Sequence, residues 1–322
     1  MHSSLVGHVA SGAGFLVIGL WQLFNHIRLF ALRPSSYVAP VWFPARGVRH
    51  LELMLIIVGA ATFILLELFV SPRKHQPFDD EGSIPSVHLH NLEHASIALA
   101  LLLFAAVTIH MDRVGAPMRE TLSQLVAAAA LTQELLLFHL HSSDHVGVEG
   151  QFHWLLQPII AVTLAATLLW FPCPRSFAAS IVFQGVWLIV MGVMLWTPDL
   201  VSKGCFLNLE AGRAVVRCHA DEALARAKSL VNLQFSWYLT GIELFVVVLY
   251  LQLYKVYHEE PSHFLLVKGR HEDGDSFSIG DDHGHDEEDL EAAKQYIHIS
   301  NGTRDMDGEE YESVTGNTGF YS

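Results

Sequence analysis

The sequence predicts an all-α fold: a polytopic membrane bundle of about seven transmembrane helices over residues 1–257, with a disordered acidic tail over residues 258–322. Three observations carry this expectation. Charged residues make up 16% of the chain, against about 25% in a typical soluble domain. Apolar stretches near the roughly 20 residues needed to cross a hydrocarbon core recur along the first 257 positions, apolar nearly all round rather than striped. The acids gather at one end: residues 258–322 hold 17 acidic and 4 basic side chains, a balance of −13 out of −14 for the whole chain. The pI therefore describes the tail, and without a basic patch no nucleic-acid partner is expected.

The first span is placed at 5–29. It resembles a signal peptide only in position: it lacks a basic leading segment, runs too long, and carries His8, Trp21, Asn25 and His26, so an uncleaved helix is expected. Gly7, Gly12, Gly14 and Gly19 permit close helix packing without the GxxxG spacing. Further spans follow at 51–70, 92–110, 122–139, 152–171, 177–196 and 231–254. Turn chemistry separates them, as in Arg33-Pro34-Ser35-Ser36, Ser71-Pro72-Arg73-Lys74, Gly115-Ala116-Pro117 and Phe171-Pro172-Cys173-Pro174.

Orientation follows from Lys and Arg near the span ends. The side opposite the N-terminus collects Arg28, Arg33, Arg46, Arg49, Arg113, Arg119, Arg175 and Lys255, although the loop before the last span adds five basic residues to the N-terminal side. The expected topology has the N-terminus outside and the C-terminus in the cytosol, in the endomembrane system (ER or Golgi) or the plasma membrane. Cys205 and Cys218 then share a lumenal or extracellular loop, where both a disulfide and two free thiols are open readings. Cys173 falls beside a span end on the cytosolic face.

The tail centres on Asp281-Asp282-His283-Gly284-His285-Asp286-Glu287-Glu288-Asp289, a composition too poor in apolar surface to fold alone. It reads as a solvated segment available to cytosolic partners.

Fourteen histidines lie outside the tail. Because spans alternate in direction, His8, His88, His90, His94, His139, His141, His145 and His153 all fall at one end of the bundle, the end that holds the N-terminus. Glu67 of span two ends on the same side, and Glu134 lies within span four. His90 and His94 are one helical turn apart, with Glu93 just off their face, while Glu134 and His141 are seven apart and nearly eclipsed. His139 points away from His141, so one of the two faces the interior.

Imidazole and carboxylate donors suit zinc or non-haem iron. The candidate ligands are His90, His94, His141 and His153, followed by His8, His139 and His145; Glu134 and Glu93 are candidate general bases polarising a metal-bound water. Against this stands the plainer reading of interfacial histidines and of neutral acids bonded to neighbouring helices. At the other end Trp21, Asn25, His26 and Glu52 read as anchoring and helix–helix hydrogen bonding.

Gly7-His8-Val9-Ala10 with Gly14-Phe15 and Gly19-Leu20-Trp21, Leu92-Glu93-His94, Glu134-Leu135-Leu136-Leu137-Phe138-His139-Leu140-His141 and the later His153-xx-Leu156 together resemble the transmembrane protein 45 family. Leu233-Gln234-Phe235-Ser236-Trp237 resembles its plant branch. The resemblance runs from about Met1 to Tyr254 and implies a multi-pass, mostly endomembrane protein without an established chemistry. The interval from His141 to His153 is longer here than in animal members.

Two functional readings follow. One is a metal-dependent membrane enzyme acting on a lipid-like substrate at the non-cytosolic end. The other is a non-catalytic scaffold or trafficking protein whose tail recruits cytosolic partners. Transport ranks third, because the middles of the spans read as almost wholly apolar and without repeats. No P-loop, GxSxG, Rossmann or HExxH motif is present.

Overall fold

In the computed structural model the chain is described over residues 2–70, 81–84, 86–144, 146–169, 174–210 and 213–258. The acidic tail, Cys173, His145 and the Ser71–Lys74 turn lie outside these residues.

Seven helices carry the fold: α1 His2–Leu32, α2 Leu51–Leu65, α3 Ser86–Val114, α4 Arg119–Asp144, α5 Gly147–Leu169, α6 Pro174–Trp196 and α7 Asp221–His258. Among the described residues all seven are long and apolar enough to cross a membrane, so the fold is the expected polytopic helical bundle. Each helix coincides with an expected span, but several run further. α3 begins at Ser86, α4 continues to Asp144 and α7 starts at Asp221. Hydropathy stops where lipid stops; the backbone hydrogen-bond ladder does not. The first turn of α7 holds Asp221 and Glu222, whose charges favour the positive end of the helix dipole.

α6 is the central element, and α1 lies along it. Their backbones touch. A Cβ on Gly12 would sit 2.7 Å from the Gly185 carbonyl oxygen, and one on Gly185 would sit 2.5 Å from the Leu16 nitrogen. Glycine is needed at both positions for the two backbones to come this close. Gly12 and Gly19 of α1 are thus used inside one chain, against a helix five spans later.

The main core joins α5, α6 and α7 through Phe152, Leu156, Trp187, Met191, Leu195 and Val231, all buried. Trp187 Nε1 donates to the Phe152 carbonyl at 3.1 Å, satisfying the one polar atom of its ring. A smaller cluster, Leu53 with Ala105 and Ile109, joins α2 to α3.

The loop before α7 is a two-stranded antiparallel hairpin, β1 Cys205–Glu210 and β2 Arg213–Cys218. Cys205 and Cys218 face each other in register and form a disulfide. Trp196 Nε1 donates to the Ala214 carbonyl at 3.0 Å, which fixes the hairpin against the end of α6. Glu210 and Arg217 form a two-pronged ion pair across the strands. Bonded by Arg217 and by the Asn208 amide, the Glu210 carboxyl is held down to about 2 from an ordinary 4.5.

Candidate functional site

Three of the expected histidines converge. His8 on α1 stands with its ring centroid 6.3 Å from His94 on α3 and 5.9 Å from His153 on α5, both edge-on. It also packs 4.7 Å from the Trp196 ring at the end of α6. The glycine seam explains the position: Gly192 of α6 leaves room for His8, and a Cβ there would lie 3.0 Å from that of His8. His8, ranked behind four others on sequence, is the hub of the group. His90 lies one turn before His94 on α3, ring centroids 4.3 Å apart.

The carboxylate at this centre is Glu67. It sits where α2 passes into a single π-helical turn, Leu66–Val70, and such turns are frequent at functional sites. Asn91 Nδ2 donates to Glu67 Oε2 at 2.5 Å, and His94 Nδ1 lies 3.4 Å from Glu67 Oε1. On sequence Glu67 reads as an acid on the N-terminal side of the membrane, or as a neutral acid bonded to a neighbouring helix, and not as a member of the ligand set. A π turn changes which way a side chain faces, and helical periodicity cannot anticipate that.

His153 is 1% exposed, and its Nδ1 donates to the Glu149 carbonyl at 2.9 Å. A carbonyl oxygen only accepts, so the ring carries a proton on Nδ1. A backbone carbonyl holding Nδ1 in this way is the support found behind metal-binding histidines that ligate through Nε2.

The other candidates are elsewhere. His139 is exposed, and its Nδ1 is 3.0 Å from Gln157 Oε1 on the outer groove between α4 and α5. Glu93 is half-buried beside His94. His141 belongs to α4, but its side chain lies outside the described residues, as does all of His145.

Glu134 is 1% exposed in the bundle interior, where it accepts a hydrogen bond on Oε1 from Nε2 of Gln184, itself fully buried. Glu134 Oε2 and Gln184 Oε1 are both buried without a partner. One proton on Oε2 would give a donor to both, closing acid and amide into a ring of two hydrogen bonds. Thr163 and Ser180 are also buried and bonded to each other at 2.9 Å. The middle of the bundle is therefore less apolar than the sequence reading allows. Its polar groups hold α4, α5 and α6 together.

Can the centre hold a metal? Among the described residues no group of three His, Cys, Asp or Glu side chains is placed to do so. Imidazoles sharing one zinc through nitrogens about 2.1 Å away would have ring centroids about 5 Å apart. The observed spacings are 5.9 and 6.3 Å. The donor types fit, and the spacing would have to close by about 1 Å.

At the opposite end Glu52 is fully engaged. Trp21 Nε1 and the Phe43 backbone N–H donate to its Oε2 at 3.1 and 2.8 Å, and Gln22 donates to its Oε1. Nearby, His26 Nδ1 pairs with the Tyr37 hydroxyl at 2.8 Å, and Asp112 accepts from Arg49 Nε at 3.0 Å with His50 Nε2 2.8 Å away. This is the helix–helix bonding expected from the sequence.

The chain matches the model of a family of unknown function, DUF716, over residues 120–251. The matched stretch runs from the start of α4 into α7. It includes Glu134, His153 and the hairpin but not His8, Glu67 or His94. No curated protein matches the chain.

Proposed function

We propose that this chain is a multi-pass membrane enzyme whose working centre is the histidine and glutamate cluster, holding zinc or iron for chemistry on a lipid-like substrate. The observation that supports it is the meeting of His94 and His153 about His8, from three separate helices, with Glu67 on a π turn beside His94. Polar groups inside a membrane are costly, and a set gathered from so many elements points to use.

The three imidazoles would be the nitrogen donors and Glu67 the oxygen donor, with Asn91 orienting Glu67 and the Glu149 carbonyl orienting His153. His90 and His141 are the further imidazoles within one turn or one neighbouring helix. When bound, the ion supplies a Lewis acid for a carbonyl or a water. Glu134 is committed to Gln184, which leaves Glu93 as the carboxylate for proton transfer. We place the centre on the non-cytosolic side. The Cys205–Cys218 disulfide, on the hairpin at the same end of the bundle, belongs in an oxidising compartment and supports that orientation.

Elemental analysis of the detergent-purified full chain tests the reading. One equivalent of zinc or iron is expected, lost in a His8→Ala, His94→Ala variant that stays monodisperse. A folded, metal-free wild type would overturn it.

A second reading rests on the tail, whose 17 acids suit recruitment of basic cytosolic partners. Removing residues 258–322 would then abolish the cellular role while leaving metal content unchanged.

A further inference from the structure

A cavity of about 810 Å³ lies between α5, α6, α7 and the hairpin. Phe152, Val186 and Met194 form its inner wall, and a stripe of α7, from Leu230 through Gln234 and Tyr238 to Gly241, forms the outer one. None of His8, His94 and His153 lines it, although Phe152 and Leu195 of its wall are the sequence neighbours of His153 and Trp196.

Three features define what would fit. The first is length. Leu230 and Ile242, both lining residues, are twelve positions apart on α7, about 18 Å along the helix axis. Half of a hydrocarbon core of about 30 Å is about 15 Å, so the cavity is one leaflet deep. The second is charge: among the described residues no charged side chain lines it. A phosphate or ammonium head would find no counter-charge here. The third is polarity at the hairpin end. Ser202 and Gln234 line this part, with Tyr238 one turn of α7 further in, and among the described residues none of their side chains has a hydrogen-bond partner. Further down, Gly241 leaves space that a side chain would fill, with no atom within 4 Å of where its Cβ would be.

We propose that this cavity is a binding site for a single uncharged lipid with a hydroxyl-bearing head, such as a sterol, diacylglycerol or ceramide, drawn from the leaflet on the histidine side. Its head would bond to Gln234 and Ser202 under the hairpin, and its apolar body would lie against Phe152, Val186 and Ile242. The volume is within the range of specific small-molecule sites, about 300–1,000 Å³.

The test is mass spectrometry of lipids retained by the full chain after purification in mild detergent, for wild type, Gly241→Trp and Gln234→Leu. Wild type is expected to keep about one neutral hydroxylated lipid per chain. Gly241→Trp should reduce it at least about tenfold by filling the space, with bulk phospholipid unchanged. Gln234→Leu removes the head contact without adding bulk and should lower retention even if the tryptophan variant fails to stay monodisperse. Equal neutral-lipid retention in wild type and Gln234→Leu, or only phospholipid in the wild type, would overturn the proposal. The His8→Ala, His94→Ala protein should keep its lipid, so failure of the metal reading and failure of this one are told apart.

Discussion

At the end of the bundle opposite the histidines, Glu52 accepts from an indole, an amide and a backbone N–H, and the loop before α2 is anchored through it. At the histidine end, Glu67 accepts one hydrogen bond from Asn91 and otherwise faces His94 across 3.4 Å. Both carboxylates sit in the same helix, α2 with its π extension, 15 residues apart. The first is saturated by its surroundings, and the second is oriented but not saturated. A saturated buried acid is a structural fastener. An oriented acid beside the imidazole of His94 has capacity left for something brought from outside. The contrast is a better guide to function than burial alone.

The largest expected effect tests the saturated end. Glu52→Ala leaves the Trp21 and Phe43 donors without an acceptor and Gln22 with the Val41 carbonyl alone, and should cost about 3 kcal/mol or more, seen as a lower thermal midpoint in detergent. A loss below about 1 kcal/mol would break the comparison. Next comes the hairpin: Cys205→Ser should cost about 2–3 kcal/mol for a closed loop of this size, read by the same melt with and without reductant. Reductant should then lower the wild type and leave the variant unchanged.

Glu134→Gln sharpens the comparison from within. An amide can pair with Gln184 as the acid does, so the stability change should stay within about 1 kcal/mol, whereas Glu134→Ala strands the Gln184 amide and should cost about 1–3 kcal/mol. Equal costs would mean that the pair is not an acid–amide ring.

The smallest effect belongs to the exposed strand pair. The Glu210 carboxyl is held down to about 2 in the folded chain, so its contribution is fully present above the ordinary 4.5 and is lost as pH falls toward 2. The rate of Cys205–Cys218 reduction by a phosphine, which needs no thiolate, should rise as pH falls through that window in wild type relative to Glu210→Gln.

The spans were legible because lipid imposes a simple requirement, about 20 apolar residues, that the sequence meets openly. The histidine end was legible because alternating spans force His8, His94 and His153 to one side. Two things were not. Helix ends continue into water, where hydropathy no longer marks them, so the first turns of α3 and the whole start of α7 were missed. The hairpin was missed because strands of six residues give little periodicity, and only the two cysteines hinted that the loop was closed. The rank of His8 and the role of Glu67 depended on contacts between distant segments, the glycine seam and the π turn, which no local pattern carries.

That seam has a consequence for how the protein is made. The backbone of α1 is shaped to lie against Gly185, which is synthesised 173 residues after Gly12. At about 5–20 residues per second, the first helix spends on the order of ten to thirty seconds in the membrane before its partner exists. During that wait its small-residue face is open to other helices in the bilayer. The glycine seam thus makes the lone first helix the exposed stage of assembly, and lengthening the pause before α6 should lower yield without altering the finished molecule.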